Sequence, residues 1–161
     1  MARIAGAENI STVEANPDML DVIRKNFSLN NVDGIRLIHG AAVGAAEGSE
    51  TVRFKQSQAF WASAVGKKGQ GGQGMIDVPA LPLSSLLQEI RPHFLIADVE
   101  GAETDYFGQE VNDELQSIVI ELHPNRYSPR RMNAIFKRLF RQGFAYQPYG
   151  TKGAVVCFER F

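Results

Sequence analysis

Two hydrophobic patterns alternate along this chain: short continuous apolar runs, and apolar positions recurring every three or four residues. Phe94, Leu95, Ile96 and Ala97 form one such run, the pattern of a strand buried on both faces, and polarity switches abruptly at Asp98. Gly101 permits a sharp exit, after which Ala102, Glu103 and Tyr106 begin a helical pattern. Asp98 and Glu100 therefore stand where a buried strand turns into a helix, the edge at which open α/β sheets bind ligands. Upstream, Ile10 to Val13 reads as a strand ending in Glu14. Asn16-Pro17-Asp18 supplies an N-cap, a proline at the first helical position and an acid on the helix dipole. Leu20, Ile23 and Phe27 mark the inner face of that helix, and Asp21 and Lys25 are expected to pair on its wet side. Asn30-Asn31 and Asp33-Gly34 turn the chain into a strand at Ile35 to Ile38, completing a parallel β-α-β unit.

The pattern changes between Gly40 and Pro79. Thr51 to Lys55 alternates Val52 and Phe54 with polar neighbours, Phe60 to Val65 is a further strand candidate, and Lys67 to Gly74 is rich in glycine. An antiparallel excursion with a mobile tip is expected. No helix with a Gly-Lys-Ser/Thr ending follows the glycines, which argues against a phosphate cradle. Met75 to Leu81 is extended, and Leu83 to Ile90 is a helix that Pro92 terminates. Ile118 to Ile120 forms another buried strand leading into Glu121-Leu122-His123-Pro124. Ser128-Pro129 starts a helix whose stripe is Met132, Ile135, Phe136, Leu139 and Phe140, stopped by Gly143. Arg130, Arg131, Lys137, Arg138 and Arg141 make its solvated face, and Phe144 to Tyr149 with Ala154 to Glu159 forms a closing hairpin. Met1 to Glu8 resembles the tail of a helix.

Composition bounds this picture. The 161 residues are 44% hydrophobic, enough for one domain with a single core. Lys and Arg number 17 against 18 Asp and Glu, so no global field favours nucleic acid or an anionic membrane surface. No apolar run is long enough to span a bilayer, and no signal peptide is visible. Cys157 lies in an apolar run and reads as a reduced core residue, so a cytoplasmic protein is expected.

Order and motif narrow the class. Val13-Glu14-Ala15-Asn16-Pro17, then Asn26 and Asn30, Ala41-Ala42-Val43-Gly44, Asp98-Val99-Glu100-Gly101-Ala102-Glu103, and Val119-Ile120-Glu121 with His123 resemble, in that sequence, the FkbM methyltransferase family. The resemblance runs from Ile10 to about Pro124 and is most specific at Asp98 to Glu103. It implies an α/β, Rossmann-like class I methyltransferase sheet, mostly parallel, with a C-terminal antiparallel hairpin. It also implies S-adenosylmethionine as methyl donor and, as acceptor, an oxygen on a sugar or similar small metabolite. Ile96 stands where the family usually has a lysine. A glycine-rich turn would precede the ribose-binding acid by about 20 residues. Glu14 is too near Met1 for that, so the first strand and its turn are expected to be missing and donor binding to be weak.

Glu14, at a strand end before an Asn-Pro turn, is placed to accept hydrogen bonds from ribose hydroxyls, and its alternative is an exposed turn acid. The resemblance sets Ala41 and Ala42 beside the adenine, with turn packing as their alternative. Asp98 and Glu100 are candidate general bases or donor contacts, since burial at a strand end raises a carboxylate toward a useful range. The competing reading is that Asp98 caps the next helix while Glu103 decorates its first turn, so Asp98→Asn is expected to harm methyl transfer more than Glu103→Gln. Glu121 and His123, two residues apart, project to one side if the strand continues, giving His123 an acceptor-side base role against a structural one. His39 and His93 read as structural, and Phe60 with Trp61 forms either an acceptor wall or hairpin packing.

Three functions remain open on the sequence. The first is a donor-dependent O-methyltransferase, and the second is a non-catalytic relative that binds a metabolite or protein. The third is a metal-dependent enzyme using Asp98, Glu100, Glu121 and His123 as hard ligands. If the first strand is missing, Ile10 to Val13 and Phe94 to Ala97 are expected to pair directly, with self-association through the remaining open edge.

Overall fold

The computed structural model describes residues 6–44, 50–56, 64–65, 74–107 and 110–161. Phe60, Trp61 and the stretch 67–73 fall outside those residues, as do Met1 to Ala5, and with them the expected acceptor wall, glycine-rich tip and initial helix tail. The chain divides into two compact units, Met1–Ala42 with Ser49–Ala80, and Val43–Gly48 with Leu81–Phe161. Among the described residues the strands make three sheets of mixed direction.

In the first unit, β1 (Ser11–Glu14) and β2 (Arg36–His39) pair in parallel, Ser11 opposite Arg36 and Glu14 opposite His39. They are joined by α1 (Pro17–Leu29), the crossover that a parallel pair requires. The Asn16 carbonyl oxygen of its side chain accepts from the Asp18 N–H at 3.1 Å, so the predicted cap forms. Leu20, Ile23 and Phe27 turn inward but are only half-buried, and Asp21 pairs with Arg24 at 2.8 Å instead of with Lys25. A second sheet runs β3 (Ala41–Val43), β6 (Met75–Pro82), β4 (Thr51–Lys55), β5 (Ala64–Val65). The β4 strand is antiparallel to both β6 and β5, as the excursion predicted. Its alternation is real: Phe54 is buried with Ala41 and Val78, and Val52, Ile76 and Ala15 pack around them.

In the second unit the order is β7 (Phe94–Ala97), β8 (Ser117–Glu121), β10 (Val155–Arg160), β9 (Phe144–Lys152). Only β7 and β8 are parallel in this sheet, Phe94 opposite Ser117 and Ala97 opposite Ile120. The remaining pairs are antiparallel, and β9 returns to β10 through a tight turn at Gly153-Ala154. The single mostly parallel sheet expected from the sequence is thus replaced by mixed sheets. Parallel neighbours occur at β1-α1-β2 and between β7 and β8, where a crossover separates them, while a two-residue connection like that of β9 and β10 permits only antiparallel return.

The helices of this unit are α2 (Leu83–Ile90), α3 (Glu103–Tyr106) and α4 (Pro129–Arg141). Leu83, Leu86 and Leu87 of α2 are buried, as are Ile135 and Leu139 of α4, and Phe107, Leu115, Ile118, Ile120 and Phe158 are fully buried. Arg138 is not merely solvated: its Nη1 donates to the Thr104 carbonyl at 2.9 Å.

One expectation about β7 fails. Among the described residues it stands at the edge of its sheet rather than buried on both faces, with Phe94 52% and Ile96 64% exposed. An apolar run of four cannot by itself distinguish an edge strand from an interior one, because hydrophobicity does not specify which backbone edge is covered.

Candidate functional site

The polar residues that follow β7 and β8 meet in the second unit. Ala97, the last residue of the β7 ladder, is buried, and the chain emerges at Asp98, whose side chain is 56% exposed. A turn closed by the Ala102 N–H donating to the Val99 carbonyl at 3.1 Å then reverses it. Glu100 sits in the left-handed region at φ 51° and Gly101 at φ 107°. The first is costly for a residue with a Cβ, about 1–3 kcal/mol, and such strain persists only where surroundings enforce it. At Gly101 a Cβ would also lie 2.9 Å from the Arg126 Cβ, so glycine is required twice over.

This reversal aims Glu103 inward. No side chain caps α3, so the competing reading, in which Asp98 caps this helix, does not hold. Glu103 itself, expected on the helix surface, is fully buried. Its Oε1 accepts the Gly101 N–H at 3.1 Å and lies 2.6 Å from His123 Nδ1. The signal was present: Glu103, Tyr106 and Phe107 stand at i, i+3 and i+4, and all three are buried on one face.

His123 comes from the other strand. The β8 strand stops at Glu121, Leu122 is buried, and the His123 N–H leaves the ladder to donate to the Tyr127 hydroxyl at 2.9 Å. The Arg126 N–H donates back to the His123 carbonyl at 2.8 Å, fixing the turn. A carboxylate oxygen without a proton only accepts, so in that case Nδ1 is the ring nitrogen that donates in this contact and Nε2 is the one left facing outward. That Nε2 stands 3.7 Å from Asp98 Oδ1 and 3.6 Å from Glu100 Oε2. Arg126 Nη2 approaches Glu100 Oε2 at 3.4 Å from the exposed side.

Tyr127 and Arg126 were not singled out by the sequence, and both border His123. Burial pushes the Tyr127 hydroxyl up to about 12, the His123 N–H opposes that rise, and the Glu103 carboxylate adds to it. Tyr106 is likewise raised, by burial first and by Glu103 second.

Of the predicted site residues, Asp98, Glu100 and His123 are brought together, their donor atoms within 4.8 Å of one another. Glu121 is not in that group. It remains in the ladder opposite Val155, and the strand ends before His123, so the two-residue spacing does not place both on one side. Glu14 and Ala41 belong to the first unit. Glu14 Oε1 accepts the Asn16 N–H at 2.7 Å, and Ala41 is buried in the core with Phe54 and Val78. Ala42 follows, half-buried, on β3. Among the described residues no helix is long and apolar enough to cross a membrane.

Comparison with known families yields a match to the methyltransferase FkbM domain over residues 2–146. No curated protein and no solved structure gives a significant match.

Proposed function

The chain belongs to the FkbM methyltransferase domain family, and on that premise we propose that it moves a methyl group from S-adenosylmethionine to a hydroxyl of a sugar or similar small metabolite, with His123 as base. The observation that carries this reading is the 2.6 Å contact between buried Glu103 and His123 Nδ1, which leaves Nε2 as the proton acceptor. Bound donor would supply an electrophilic methyl carbon on a sulfonium. A cationic donor fits an anionic, partly exposed strand end such as that of Asp98 and Glu100.

The acceptor hydroxyl donates its hydrogen bond to His123 Nε2. As the oxygen forms its bond to the methyl carbon, the carbon–sulfur bond of the donor would break with its electron pair left on sulfur as the demethylated thioether, the proton passes to Nε2, and the imidazolium is held by Glu103 at Nδ1 and by the two carboxylates beyond Nε2. Positioned proton transfer of this kind contributes about 10²–10⁴ in rate. Glu103 acts through His123 and is a positioning residue. The rank expected from the sequence, Asp98→Asn more harmful than Glu103→Gln, is accordingly reversed in this reading. Asp98 is half in solvent, whereas loss of the Glu103 charge removes what selects the tautomer.

The test is to incubate the full chain with methyl-labelled donor and a panel of sugars and nucleotide sugars, then treat the products with mild base. Label in a base-stable methyl ether, lost in His123→Gln, is the expected result. Label only in base-labile esters or on nitrogen would overturn the oxygen-acceptor assignment.

A further inference from the structure

The group around His123 carries more negative charge than its neighbours balance. Asp98, Glu100 and Glu103 all border the imidazole, and among the described residues the guanidinium of Arg126 meets Glu100. Glu103 is fully buried, and its Oε2 lacks a hydrogen-bond partner among the described residues. Buried charge left uncompensated is costly, so a compensating cation would be favoured here. We infer that Asp98 Oδ1, Glu100 Oε2 and His123 Nε2 form a binding site for a divalent transition-metal cation of the Mn²⁺ or Zn²⁺ type.

The spacing supports it. Metal–ligand bonds of about 2.0–2.2 Å place neighbouring tetrahedral donors about 3.3–3.6 Å apart. Nε2 already stands 3.6 and 3.7 Å from the two carboxylate oxygens, and all three donors lie within 4.8 Å of one another. The donor set is one imidazole nitrogen and two hard oxygens, which suits Mn²⁺ or Zn²⁺ better than Ca²⁺. Glu103 completes the arrangement from behind: a histidine that ligates through one nitrogen characteristically donates its other N–H to a carboxylate, which fixes the ring and raises its basicity. The 2.6 Å contact at Nδ1 does both. With three protein donors and Asp98 half exposed, further coordination positions stay open to water or a ligand hydroxyl. Arg126, 3.4 Å from Glu100 and half exposed, yields its place when the cation enters.

A cation on Nε2 occupies the lone pair that takes the proton in methyl transfer. This consequence rests on the base assignment made above, whereas binding itself does not. Cation and substrate hydroxyl therefore exclude one another at His123.

Titrating the chelator-treated full chain with Mn²⁺, followed by electron paramagnetic resonance, and with Zn²⁺, followed by calorimetry and by ¹⁵N resonances of the histidine rings, tests the site. One equivalent is expected to bind, moving the Nε2 resonance of His123 and leaving His39 and His93 in place. Asp98→Asn and Glu100→Gln, both on partly exposed side chains, should each weaken binding tenfold or more, and Glu103→Gln by about 10–100-fold. Zn²⁺ should inhibit methyl transfer. Saturable binding with uninhibited transfer would retain the cation site and remove the base assignment. No saturable binding below about 1 mM, binding indifferent to Asp98→Asn and Glu100→Gln, or a shift confined to His39 or His93 would overturn the site.

Discussion

Two strand ends in this protein share one sequence signature and reach different outcomes. β1 ends in an acid, Glu14, and β7 is followed by one, Asp98, while the parallel neighbour β2 ends in His39 and β8 is followed two residues on by His123. At the end of β1, Glu14 lies opposite His39 in the ladder, yet no ion pair joins them among the described residues. The Glu14 carboxylate folds back on the Asn16 N–H, Asn16 is buried as the cap of α1, and Gln56 Nε2 reaches Asn16 Oδ1 at 3.1 Å and Asp18 Oδ2 at 2.6 Å. Polar capacity there is spent on closing a turn. Beyond β7 the acids lie outside the ladder, in a loop bent through left-handed Glu100 and Gly101, and His123 lies two residues past β8. Ladder residues are fixed perpendicular to their sheet, whereas those just beyond it are free to converge. Convergence, not the presence of an acid and a histidine, separates the candidate site from a structural turn.

That distinction is testable at several magnitudes. The largest effect belongs to the two histidines: His123→Gln is expected to lower the methyl-transfer rate by about 10²–10⁴, while His39→Gln, on an exposed ladder position, leaves it nearly unchanged. Near-UV circular dichroism confirms folding of both, and equal losses would erase the contrast between the strand ends.

Glycines come next. Gly34 and Gly101 both have positive φ, but a Cβ at Gly34 meets open space and one at Gly101 meets Arg126. Gly34→Ala should cost roughly 1–2 kcal/mol for the left-handed backbone alone, and Gly101→Ala more, because the clash is added. Urea unfolding measures both, and a smaller loss at Gly101 would show that its turn is not held as described.

Smaller still is the difference between caps. Asn16→Ala removes a buried cap and should cost about 0.5–2 kcal/mol, with Ser128→Ala below it, since that hydroxyl accepts from the Arg131 N–H at 3.4 Å on an exposed surface. The reverse order in thermal melts would argue against the consolidated turn at β1.

The last effect is a pH slope. The Tyr127 hydroxyl ionises near pH 10 when unfolded and near 12 when folded, so the folded state retains the proton more tightly. Its contribution is complete below about pH 10 and is lost as pH rises toward 12, because the unfolded chain releases a proton first. Tyr127→Phe should flatten stability across that window. An unchanged slope would place Tyr127 in a wetter setting than the one described.

The sequence alone determined what depends on residues a few positions apart. The Asn16 and Ser128 caps, the β-α-β unit, the alternation of Val52 and Phe54, the buried stripe at Ile135 and Leu139 and the closing hairpin are all local, set by helix and strand periods and by turn chemistry. The motif at Asp98 to Glu103 also identified the family. Tertiary structure decided the remainder. That β7 is an edge, that the sheets are mixed, that Glu121 stays in its ladder and that Glu103 is a buried partner of His123 all depend on which elements meet. The Glu103–His123 contact joins residues 20 apart and the Arg126–Glu100 contact residues 26 apart. The reason is geometric: periodicity fixes which side of an element a residue occupies, but only the packing of one element on another decides whether a carboxylate there faces water, its own turn or an imidazole.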